Sequence, residues 1–147
     1  MLAVMKERIE AIAPQPFKRI SATAQIASLA ENPPARTELP AAFVYPAAHA
    51  AQKPEFGTGV TQQTVAARYG VMIVVPAQAE RHGDKAAEDI EPYYQAVRKQ
   101  LVGWMPEDAG DEIFLAPMAF ASGRALVFAD GLMIWSDEYV IDQLLRV

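Results

Sequence analysis

The chain has 147 residues, 52% hydrophobic and 21% charged, with 13 Lys and Arg against 18 Asp and Glu for a formal net charge of −5. That length and apolar content suit one domain, residues 1–147, with its own core. The acidic balance, with no basic grouping longer than Lys18-Arg19 or Arg98-Lys99, excludes a nonspecific DNA-gripping surface, and the absence of cysteine excludes disulfides, thiolate nucleophiles and cysteine metal sites.

Leu2, Met5, Ile9 and Ile12 recur at spacings of 3, 4 and 3, which predicts a first helix over residues 2–13 with one apolar face, ended by Pro14 and Pro16. Charges interrupt this stretch, and no later segment reaches about 18 uninterrupted apolar residues, so neither a signal peptide nor a membrane span is read and a soluble intracellular product is expected. Phe17 to Ile20 is a short extended piece. Ser21 is placed to cap a second helix of about ten residues with Ile26 and Leu29 inward. The proline-rich "ENPPARTELP" is a connector.

"AAFVYPA", around Phe43, Val44 and Tyr45, reads as an interior strand closed by Pro46. Residues 47–58 show no period and read as a long mobile loop. A Gly57-Thr58-Gly59 corner then opens "GVTQQTVAARYGVMIVV", residues 59–75, a single extended segment. Fully extended it spans roughly 50 Å, against a usual strand of about 5–6 residues. Its odd positions (Gln63, Val65, Ala67, Tyr69, Val71, Ile73, Val75) are apolar almost throughout. Its even positions are polar at the start and apolar at the end. The second half is therefore expected in the core, and Gly59 to Arg68 is expected to project from it.

A turn at His82-Gly83-Asp84 leads to a helix from about Asp84 or Asp89 to Gly103, with Ile90, Tyr94, Val97 and Leu101 inward. Pro92 fits best in a first turn, which favours a regular start near Asp89. An acidic loop, "MPEDAGDE", follows. Asp130-Gly131 is a two-residue hairpin turn between "ALVFA" and "LMIWSDEYVI". Its register sets Ala129 opposite Leu132, Phe128 opposite Met133, Val127 opposite Ile134 and Leu126 opposite Trp135. It also sets Arg124 opposite Asp137 as a structural ion pair, unless Gly123 introduces a bulge. The order α-α-β-β-α-β-β indicates an α+β fold: a mixed, mostly antiparallel sheet with a long strand and a C-terminal hairpin, helices packed on one face.

Chemistry is sparse along the chain. The two histidines, His49 in the loop and His82 in the turn, read as solvated, and no serine sits in a Gly-x-Ser-x-Gly elbow. Glu107, Asp108, Asp111 and Glu112 lack the alternating ligands of a calcium loop. Gly57-Thr58-Gly59 precedes a strand rather than a helix N-terminus, so it offers no phosphate cradle. Trp104 and Trp135 read as core or subunit-interface aromatics. No catalytic residue, metal or cofactor is read from the chain.

Three segments in order carry a resemblance: "GTGVTQQTVAARYGVMIVV", "DIEPYYQAVRKQLVGW" and "LVFADGLMIWSDEYVI". Together they resemble the tail terminator (tail completion) proteins of long-tailed bacteriophages and prophages, over most of residues 40–142. Gly57, Thr58, Gly59, Gln63, Pro92, Trp104, Asp130, Gly131, Trp135, Asp137 and Tyr139 match the pattern. The resemblance implies an α+β protein that forms a hexameric ring on the last ring of tail-tube subunits. Such a ring stops polymerisation, offers a surface to a head-side connector protein and lets DNA pass without sequence-specific binding. It further implies a structural protein of the virion tail, assembled in the bacterial host cytoplasm, with no catalysis, cofactor or membrane contact. On this reading Gly57, Thr58, Gly59, Gln63, Val65, Ala67, Arg68 and Trp135 are the candidate interface residues. A strand outrunning its core would offer free backbone groups to a neighbour. The alternatives are a head–tail connector or minor tail protein or, in a different class, a small hydrolase or ligand-binding domain using Asp111, Glu112, Arg124 or Asp137.

Overall fold

The computed structural model describes residues 1–24, 29, 32, 34–57, 60–77, 84–107, 111–129 and 131–146. Helix α1 (Leu2–Glu10) buries Met5 and Ile9 completely, with Leu2 and Ile12 packed beside them, as the spacing predicts. Strand β1 (Arg19–Ala22) follows and pairs in parallel with β2 (Ala41–Ala51), Ser21 opposite Phe43. Ser21 is thus a strand residue and caps no helix. Of that expected helix, Ile26 lies outside the described residues, and Leu29 is helical and packs against the cluster that holds Leu39 and Phe43.

Pro46 does not end β2. A register shift between Pro46 and Ala48 absorbs the missing N–H, and the strand continues to Ala51 opposite Val65. Strand β3 (Glu55–Gly57) then folds back on the start of β4 (Val60–Pro76). Most of the loop expected over 47–58 is therefore strand. Its run of alanines carries no periodic signal, and the ladder to β4 supplies what the side chains do not.

Helix α2 (Asp84–Leu101) starts earlier than its proline suggested. Pro92 sits inside it on the exposed side, where water can reach the Glu88 carbonyl that Pro92 cannot serve. Ile90, Val97 and Leu101 are buried, and Gly103 (φ 84) turns the chain out of the helix. The proposed turn residues His82 and Gly83 lie outside the described residues.

Three strands complete the fold: β5 (Ile113–Phe114), β6 (Ala119–Ala129) and β7 (Leu132–Arg146). Gly131 has φ 74, as the hairpin turn requires, while its companion Asp130 lies outside the described residues. The predicted register holds for Ala129, Phe128 and Val127. A shift between Ala125 and Val127 then slides β6 by one, so Ala125 faces Trp135, Arg124 faces Ser136 and Gly123 faces Asp137.

The described strands form one mixed sheet in the order β1-β2-β4-β7-β5, with β3 beside β4 and β6 beside β7. Odd residues of β4 and β7 point to the face covered by α1 and α2, where Val71, Ile73, Val75, Tyr139 and Ile141 pack on Met5, Ile9, Ile90, Val97 and Leu101. Even residues point to the other face, where Met72 and Val74 join Leu39, Phe43 and Tyr45 in a smaller cluster. The α+β architecture, with both described helices on one face, is as expected.

Candidate subunit interface

Strand β4 is central over most of its length. Gln62 to Pro76 pair with β7, while Val65 to Val74 pair with β2 and Val60 to Gln62 pair with β3. Each described residue of the projecting half therefore pairs on at least one side, and Gln62 and Val65 to Arg68 pair on both, which leaves little of the free edge expected for a neighbour. Ladder closure by β2, running past Pro46, is the cause. What this half leaves open is side-chain surface. On the odd face Ala67 is fully buried and Val65 only half-buried.

Val65 lines a cleft of about 510 Å³ with Ile113, Leu144 and Leu145, rimmed by His49, Asp111, Glu112 and Arg146. The Gln143 side chain, also in the lining, donates to Glu112 Oε2 at 2.9 Å and so ties β7 to the segment before β5. The floor is apolar and the rim carries charge of both signs, a surface suited to another protein.

The other interface candidates divide. Gln63 donates to the Gln52 carbonyl at 2.8 Å and braces the approach to β3. Arg68 is exposed on the opposite face and reaches Glu138 across β7 at 3.4 Å. Ala67 is fully buried and has no surface to offer. Gly57 pairs with Val60 at the tip of the sheet, and Thr58 and Gly59 lie outside the described residues.

Trp135 is engaged within the molecule. Its ring stacks on Tyr94 of α2 (centroids 4.8 Å apart), and its Nε1 donates to Asp137 Oδ1 at 2.8 Å. Asp137, not Arg124, explains this corner. Its carboxylate is completely buried and accepts two bonds from Arg98, from Nε at 2.7 Å and from Nη2 at 2.9 Å, plus one from the Tyr139 hydroxyl at 3.1 Å. Arg98 lies between the rings of Tyr94 and Phe120, each centroid 4.3 Å from its Cζ.

The expected Arg124–Asp137 pair is thus replaced by Arg98–Asp137, because the β6 register shift moves Arg124 away and the helix supplies the cation. Gly123 makes room: a Cβ there would strike Asp137 Oδ1 and crowd Arg98 Nη2. The hydrogen bonds to Asp137 raise the Arg98 pKa further, and burial followed by the Asp137 charge pushes the Tyr139 hydroxyl far up. On the other face burial likewise raises Tyr45, whose hydroxyl bonds Ser136 over the bare Gly70. Burial also raises Tyr69. Arg98 is the residue the sequence reading missed. Its signal was an arginine adjoining the buried stripe of Tyr94, Val97 and Leu101.

Asp111, Glu112, Arg124 and Asp137 do not converge. The first two line the cleft, Arg124 is exposed on β6, and Asp137 is sealed beneath Arg98. That arrangement removes the shared pocket on which the hydrolase alternative depended. Among the described residues no group of three His, Cys, Asp or Glu is placed to hold a metal, and no helix is long and apolar enough to cross a membrane.

The family model for phage tail terminator proteins matches residues 2–146. No curated protein matches the chain. The chain belongs to the phage tail terminator family, and its role is that of a structural component of a phage tail.

Proposed function

We propose that the protein assembles into a closed ring, hexameric in the family's manner, that seats on the last ring of tail-tube subunits. There it ends tube growth and presents its opposite side to the head-side connector. Family membership across residues 2–146 carries this reading. The cleft supports it: its apolar lining of Val65, Ile113, Leu144 and Leu145 offers one half of the heterologous contact that a closed ring requires. The net charge of −5 suits a conduit that does not grip passing DNA. The protein works without a cofactor or a chemical step, as packing surface.

Electron microscopy of phage lacking the gene tests the reading. Tails of uncontrolled length are expected. Tails of normal length beside full, unattached heads would replace the terminator reading with a connector. Light scattering of the purified protein with its cognate tube protein gives a second check, and protein that never binds or caps tubes would overturn the proposal.

A further inference from the structure

We infer that the sheet edge from Asp111 to Arg124 is a self-complementary surface that takes a second copy of this chain, related by a twofold axis near Pro117. This contact shares Asp111 and Ile113 with the cleft, while Leu115 and Arg124 lie outside it. From Ile113 to Gly123 eleven consecutive residues carry no charge, in a chain that is 21% charged. Among the described residues β5 and β6 pair only with β7, so their outer side meets no strand. Two large apolar side chains stand open along it, Ile113 (44% exposed) and Leu115 (49%), while Phe120 turns to the α1–α2 face against Tyr139 and Arg98. Ile113 lies opposite Leu144 and Ala119 opposite Val140, so the strip continues onto β7 on the face opposite α1 and α2. Open edge strands are normally guarded by charges along their length. This one has them at its ends.

Those ends decide the occupant and its orientation. Asp111 and Arg124 are both exposed, and neither has a hydrogen bond or ion pair within the described residues. An antiparallel second copy sets each Asp111 beside the other copy's Arg124, twice over, with apolar surface between. A parallel copy would set like charge on like charge. A twofold contact is isologous, so the same strip serves both partners. Pro117 lacks an N–H, and the β6 register shifts between Phe120 and Ser122, so side-chain packing rather than a long shared ladder makes the contact.

Sedimentation velocity of the full chain over a range of concentrations tests this. Wild type is expected to show a reversible dimer step. Arg124→Glu and Asp111→Arg should each raise its dissociation constant at least about tenfold, and the double variant should restore it to within about threefold of wild type. Leu115→Ser should abolish the step with an unchanged circular dichroism spectrum. Arg124→Glu and Leu115→Ser lie outside the cleft, so repeating these two in a Val65→Asp background separates this contact from the proposed ring contact. A wild-type chain with no dimer step, or a double variant no better than the singles, would overturn the inference. So would an edge that binds only tube protein and never a second copy.

Discussion

The two halves of β4 share one backbone and differ in what lies over it. Tyr69 to Val75 are all buried, with α1 and α2 on one face and the Phe43–Tyr45 cluster on the other. Thr61 to Ala66 are half-buried, although every one of them is paired to at least one neighbouring strand and Gln62, Val65 and Ala66 to two. Backbone satisfaction and layer coverage are therefore separate variables in this molecule. The outer half is closed as a ladder and open as a surface, which leaves side chains, not strand pairing, as its means of contact.

The sharpest way to break this comparison is to place a charge in each half. Ile73 is fully buried, so Ile73→Asp buries an unpaired carboxylate and should cost more than about 4 kcal/mol, enough to remove a cooperative urea transition. The next largest effect is expected at the Asp137 cluster, which fastens α2 to the inner half. Asp137→Ala strands Arg98 against aromatic rings, and a loss of about 3–5 kcal/mol should appear in the denaturation midpoint.

Alkali should loosen the inner half as well. Tyr139, Tyr45 and Tyr69 all have raised pKa values, so the folded chain keeps protons that the unfolded chain loses above about pH 10. Stability is then present in full below pH 10 and falls above it, by roughly 1.4 kcal/mol per pH unit for each tyrosine that stays protonated only when folded. Urea midpoints that do not move between pH 9 and 11 would contradict this.

Gly123→Ala comes next, at about 1–3 kcal/mol, since its Cβ must displace the Asp137–Arg98 pair. Val65→Asp should be smallest in stability, within about 1 kcal/mol, because the half-buried side chain opens onto the cleft. It should nevertheless suppress ring assembly in light scattering. A Val65→Asp protein that unfolds like Ile73→Asp would erase the distinction between the halves.

The Trp135-x-Asp137-x-Tyr139 segment shows where reading by sequence stops. Alternation places all three side chains on one face of β7, and that much was legible. Which cation meets Asp137 was not. A hairpin register is fixed locally only until the first bulge, and the shift between Ala125 and Val127 depends on packing against β7 and α2.

By itself the amino-acid sequence determined what repeats along the chain. The inward stripes of α1 and α2 follow from spacings near 3.6. The two-sided burial of Val71 to Val75 follows from an apolar run. The hairpin near Asp130-Gly131 follows from glycine's access to positive φ. Tertiary structure alone decided what depends on a distant partner. It carried β2 past Pro46 to Ala51, because β4 was there to bond it, and it gave Asp137 to Arg98, because α2 lies over the hairpin. It also left Val65 only half-buried, lining an open cleft rather than the core. Local periodicity reports the period of burial; the layer that does the burying is chosen by elements far away in the chain.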